Sequence, residues 1–202
     1  MTHATAPETL RRVRWIQGIT VAWMSAEAGL SLFAAWHARS PALLAFGGDS
    51  VIELASAVVV LRTFHGKDAR EHAERRAARI AAMLLFALAT CVVVASVTAL
   101  LGYAEPRSTL LGIVILIAAA VFMPLLSREK RRLSAITGSA ALRADAAESA
   151  VCGYLSLIAL LGLLLNAVWH ITWADPAAAL VIIPLILHEG WEAVQGRPCS
   201  CD

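Results

Sequence analysis

Six stretches of this chain, residues 13–37, 41–64, 77–103, 108–127, 143–166 and 174–195, are apolar enough and long enough to cross, or nearly cross, a lipid bilayer. A hydrocarbon core about 30 Å thick takes roughly 20 apolar residues per helical crossing. Backbone inside lipid must satisfy its own hydrogen bonds, which favours helices for segments of this kind. With 59% of its 202 residues hydrophobic and 16% charged, the chain lies outside the usual balance of water-soluble domains. The expected fold class is an all-α membrane protein, a bundle of six transmembrane helices. Connections between the windows are short, so no soluble domain of useful size fits between helices. The division that follows is a leading segment 1–12, one membrane domain 13–196 and a short cysteine-containing tail 197–202. The first apolar run is too long for a signal-peptide core and lacks a small-residue cleavage site after it, so it reads as a permanent helix.

Orientation follows from the 17 Lys and Arg residues. When the six windows alternate in direction, only Arg39 and Arg107 fall on one side and all the others on the opposite side. Cytoplasmic loops are enriched in Lys and Arg, so both termini are expected in the cytoplasm of a multi-pass plasma-membrane protein. The formal net charge is only +2 and the basic segments flank apolar helices. They therefore read as topology signals in contact with anionic lipid, and no nucleic-acid partner is expected. Cys91 and Cys152 fall inside windows and Cys199 and Cys201 in the tail, a distribution that implies no disulfide framework. Five tryptophans sit near helix ends as an interfacial belt would require; Trp23 lies deeper, and nothing in the sequence accounts for it.

Ionisable residues inside membrane helices are costly, and each calls for a partner or a function. The second window contains Asp49 and Glu53, four residues apart and hence on one helical face. The fifth contains Glu148 and Cys152 at the same spacing. Two such pairs on facing helices can supply four ligands to a divalent transition metal, since carboxylate and thiolate both bind zinc. The alternative is a structural polar network, in which these acids hydrogen-bond to neighbouring helices. No Lys or Arg lies mid-window, so an intramembrane ion pair has no evident donor. Glu27, at a depth close to Asp49 and Glu53, reads as an accessory acid or a packing group. Asp145 reads as a helix cap or a cation attractor near the inner end, and Asp175 before Pro176 as a helix N-cap. Cys199 and Cys201 could capture soft cations at the cytoplasmic mouth or be incidental.

These residues resemble a known family. The runs from Ser25-Ala26-Glu27 and from Ser40-Pro41 through Phe46-Gly47-Gly48-Asp49-Ser50-Val51-Ile52-Glu53 look like the first two helices of cation diffusion facilitators. Ala144-Asp145 through Cys152, and Trp173-Ala174-Asp175-Pro176 through Glu189-Gly190, look like the fifth and sixth. The likeness is closest to short bacterial members with the transmembrane domain only. It implies a non-enzymatic exporter of Zn²⁺ or a similar divalent ion such as Cd²⁺ or Co²⁺, exchanging metal for protons, with no resident cofactor and acting as a homodimer through membrane helices. It places the transport site on Asp49, Glu53, Glu148 and Cys152. Glu at two of these positions and Cys at another depart from the usual Asp and His set. The competing classes are a non-transporting membrane metal sensor or scaffold, and an intramembrane enzyme, for which no HExxH zinc motif is present.

Overall fold

The computed structural model describes residues 7–62, 67–137 and 140–195, so Cys199 and Cys201 lie outside the described residues. Six helices account for almost all of it: α1 (Pro7–Ala38), α2 (Pro41–Arg62), α3 (Lys67–Leu100), α4 (Leu110–Thr137), α5 (Ala140–Trp169) and α6 (Ala174–Gln195). No strand occurs among the described residues. Five helices contain segments long and apolar enough to cross a membrane, at 11–38, 79–100, 110–137, 145–169 and 174–192. The 22 residues of α2 reach about 33 Å at 1.5 Å per residue, a bilayer's thickness. The expected six-helix membrane bundle is the fold observed.

Helices α1, α3 and α4 run past their apolar windows. Helix α3 already begins at Lys67 and α4 continues to Thr137, so the basic stretches that read as loops are largely helical extensions. They stand together at one end of the bundle, called here the basic end. At the opposite end the links are tight. Arg39 (φ 51), Gly102 (φ 81) and His170 (φ 54) take left-handed conformations just after α1, α3 and α5. The amide of Ser40 donates to the Ala35 carbonyl at 3.2 Å, and that of Tyr103 to Thr98 at 3.0 Å, closing the Schellman turns that satisfy the last carbonyls of α1 and α3.

Helix α2 starts at once, with Pro41 in its first turn and Ser40 as its cap, the Ser40 Oγ accepting the Leu43 amide at 3.1 Å. Asp175 does not cap its own helix as the sequence suggested. Helix α6 begins at Ala174, two residues before Pro176, its first turn closed onto the Trp173 carbonyl by the Ala177 amide. That leaves the Asp175 carboxylate free to cap α2 instead, accepting Ser40 Oγ at 2.5 Å and the Ala42 amide at 3.3 Å. Nearby, Asn166 donates to the Pro106 carbonyl at 2.9 Å, so this end of the bundle is closed by buried hydrogen bonds.

Helix α2 packs against α1, α3, α5 and α6, while α4 lies against α1 and α5. Its central position rests on small residues. A Cβ at Gly47 would stand 2.9 Å from Ser31 Cβ and 3.1 Å from the Leu32 amide nitrogen of α1. A Cβ at Gly48 would meet Leu88 of α3 at 2.5 Å. Two adjacent glycines thus let α2 approach helices on two sides, the close approach that small residues permit in membranes. Between this layer and the closed end, Leu43, Phe46, Leu116, Leu163 and Ile182 form a fully buried plug.

A buried cation does stand among these helices, beyond the window assigned from hydropathy. Lys130 lies within α4, which continues beyond the window assigned from hydropathy, and its side chain is fully buried. Its Nζ donates to Asp145 Oδ1 at 2.8 Å and to Ser149 Oγ at 2.9 Å. Gln17 of α1 donates to the other Asp145 oxygen at 2.7 Å. Asp145 is therefore the hub of a polar tie joining α1, α4 and α5 near the basic end, and not the cap of α5.

Candidate metal site

The spacing of Asp49 and Glu53 does what a helix of 3.6 residues per turn requires and puts both carboxylates on one face of α2. That face meets α6, which contributes Glu189. One carboxylate oxygen from each of Asp49, Glu53 and Glu189 lies within 4.8 Å of the others. Asp49 is fully buried, and neither of its oxygens has a hydrogen-bond partner. Glu53 and Glu189 are partly buried, and each also keeps one buried oxygen without a partner. Carboxylates so placed are unfavourable unless a cation or protons neutralise them. Oxygen ligands on one zinc ion, at about 2.0–2.2 Å from the metal, stand roughly 3.3–3.6 Å apart. Side-chain rotations of about 1–1.5 Å would bring the three onto a single ion.

Glu27 has the same burial and the opposite condition. Its Oε2 accepts the Trp23 indole N–H at 2.6 Å, and Ser50 Oγ stands 2.9 Å from Oε1. The Cys152 thiol also donates to Oε1, at 3.3 Å. This accounts for Trp23, which sits away from the interfacial belt because its N–H holds a buried carboxylate while its ring packs 4.6 Å from Phe122. Both Glu27 oxygens are engaged, so it is a structural junction of α1, α2 and α5. The polar network and the metal-type cluster, alternatives in the sequence, coexist side by side: Ser50, next to Asp49, belongs to the network.

Of the four residues expected to form one site, Asp49 and Glu53 come together. Cys152 is fully buried but turned to Glu27, and it does not join the carboxylate cluster. Glu148, one turn along α5 toward the basic end, is exposed and lies outside the three-carboxylate cluster, although its carboxylate is within electrostatic reach of Asp49 and Glu53 as well as of Asp145, Glu189 and Lys130. Glu189 was missed. It shares the property that singled out the other acids, a carboxylate in an apolar helix, but has no acid or thiol four residues away to pair with it. His188 is in fact largely exposed, whereas Glu189 faces inward.

The resulting arrangement is a buried cluster of three carboxylates on α2 and α6, with the apolar Leu43–Phe46 layer and the Ser40–Asp175 cap between it and the closed end. No curated protein matches the chain. The family model described as the cation efflux transmembrane domain does, over residues 19–195, and the chain belongs to that family, the cation diffusion facilitators.

Proposed function

We propose that this multi-pass protein exports a divalent transition metal, Zn²⁺ foremost with Co²⁺ and Cd²⁺ as further candidates, in exchange for protons. The observation that carries the reading is Asp49, a fully buried carboxylate with two unpartnered oxygens facing two further acids. Membership of a family of transporters supplies the direction of the chemistry, which is translocation and not bond making. Asp49 and Glu53 hold the ion. Glu148, exposed nearer the basic end, is the acid the ion meets first. The basic end is assigned to the cytoplasm, a reading supported by the distribution of Lys and Arg. Protons are the natural counter-ion because metal and proton compete for the same oxygens. Assembly as a homodimer through membrane helices belongs to the same proposal.

The test is flux into vesicles containing the purified protein alone, with a metal-sensitive dye inside and Zn²⁺ outside. Uptake that exceeds protein-free vesicles, and is lost in Asp49→Asn, is the expected result. Absence of flux for zinc, cobalt and cadmium alike would turn the reading toward a non-transporting sensor.

A further inference from the structure

We propose that Glu189 of α6 is a direct ligand of the transported ion, which makes the loaded site in this conformation an oxygen-only site built on α2 and α6. The inference rests on the transport reading above and adds to it a ligand and a substrate class. The acids expected to close the site with Asp49 and Glu53 lie on α5, yet neither joins the cluster: the Cys152 thiol donates to Glu27, and Glu148 remains on the exposed side. Glu189 takes their place, with a carboxylate oxygen within 4.8 Å of those of Asp49 and Glu53.

Clustering alone would say little, because acidic groups gather for many reasons. The independent sign is the state of the oxygens. Both Asp49 oxygens are buried without a partner, as are Glu53 Oε1 and Glu189 Oε2. The adjacent Glu27, by contrast, accepts from the Trp23 indole and the Cys152 thiol and has the Ser50 hydroxyl at 2.9 Å. Ser50, the residue next to Asp49, lies against Glu27 and leaves Asp49 without a donor. Three clustered acids thus each keep a buried oxygen without a hydrogen-bond partner, which suits a cation better than a hydrogen-bond network. Helix α6 also lies close against α5 at the far end, where Gly162 stands. A Cβ at Gly162 would lie 2.6 Å from Ala178 Cβ, so α5 and α6 touch nearly backbone to backbone.

Carboxylate ligands without sulfur select differently from a site containing thiolate. Oxygen donors accept Zn²⁺, Co²⁺ and Mn²⁺, with preference set by intrinsic affinity, and give no added advantage to the softer Cd²⁺. The site is therefore assigned to first-row divalent ions.

Cobalt(II) titration of the purified full-length protein tests this, because Co²⁺ reports its ligands in its absorption spectrum. The wild type should bind Co²⁺ with ligand-field bands and no thiolate-to-cobalt charge-transfer band. Glu189→Gln should bind at least about 10–100-fold more weakly, the loss seen even for partners outside the coordination sphere. Glu189→Asp, which keeps the carboxylate, should recover part of that loss, whereas a merely structural glutamate would be served as well by Gln as by Asp. A thiolate band that persists after Cys199→Ser and Cys201→Ser, which remove the tail thiols, would overturn the oxygen-only assignment. Wild-type affinity in Glu189→Gln, with binding lost in Asp49→Asn, would remove α6 from the site and leave the transport reading intact. Wild-type affinity in both variants would bring down the site itself. Should Glu189→Gln fail to fold, the wild-type spectrum and the affinity of Glu189→Asp still decide, since an unchanged Asp variant speaks against a ligand whose carboxylate has been withdrawn by one methylene.

Discussion

The Cys152 thiol and the Glu27 carboxylate meet at 3.3 Å across α5 and α1, although 125 residues separate them in the chain. A thiol that donates its proton is not the thiolate a metal binds. Cys152→Ser, which keeps a donor of similar shape, is accordingly expected to hold zinc flux within about threefold of wild type and to leave the ratio of cadmium to manganese transport unchanged. Cys152→Ala leaves one lone pair of Glu27 unserved and should destabilise the bundle by about 1–3 kcal/mol. Competition assays in vesicles together with thermal unfolding check both. Collapse of cadmium transport in the serine variant would put sulfur on the ion.

The buried Lys130–Asp145 pair is asymmetric, with side-chain exposure of 0% for the lysine and 27% for the aspartate. Asp145→Asn strands an ammonium that retains only neutral partners and should cost about 3–5 kcal/mol, the usual penalty for an uncompensated buried charge. Lys130→Met strands a carboxylate that water can reach and that Gln17 still serves. It should cost less, about 1–3 kcal/mol. The double variant should be more stable than the sum of the two losses implies. Denaturation of the three purified variants would expose the opposite order, if it holds, and with it a lysine that is not enclosed as described.

Gly47 and Gly48 are neighbours with unequal tolerance. A methyl at Gly47 meets the Leu32 backbone, which cannot rotate away, so Gly47→Ala must part α1 from α2 at a cost of about 1–3 kcal/mol. A methyl at Gly48 meets only the branched end of Leu88, whose rearrangement costs about 0.5–1.5 kcal/mol. Leu88→Ala should therefore rescue Gly48→Ala and do nothing for Gly47→Ala. Zinc uptake and thermal stability of the singles and doubles measure this.

Metal loading should displace protons. Three ionised carboxylates around a +2 ion would leave a net negative charge in a poorly solvated place, which favours retaining a proton in the loaded site and holding more in the empty one. Zinc added to purified protein in weak buffer should release protons, fewer in Asp49→Asn, and vesicle uptake should quicken when the interior is the more acidic side. Binding without proton release would uncouple the two.

Much of the fold could be read from hydropathy alone, because about twenty apolar residues in a row leave few other structures open to them. The helix ends could not. Lys67–Ala78 and Arg128–Thr137 are helical without being apolar, and hydropathy reports burial in lipid, not helicity. The burial of Lys130 escapes hydropathy for the same reason: a lysine just past a hydropathy window looks solvated, while the helix that carries it continues among its neighbours. Half the candidate site was legible, since the Asp49–Glu53 spacing is a property of one helix. Which helix supplies the third carboxylate depends on rotation of α5 and α6 about their axes, and no pattern within either helix sets that. Cys152 shows the limit plainly, for its spacing from Glu148 fits a ligand pair and its partner is on α1.

The Ser40–Asp175 bond also bears on how the molecule is made. Residues 135 apart in the chain are joined there, so α2 leaves the ribosome well before the carboxylate that completes its first turn. At about 5–20 residues per second, that interval is roughly 7–27 s. Throughout it the head of α2 has to rely on water or lipid headgroups for the contacts Asp175 will later provide. The last helix to be synthesised thus finishes one of the first, and a nascent chain halted before α6 would display an incomplete α2 at the membrane surface, a mark by which quality control could tell it from the finished protein.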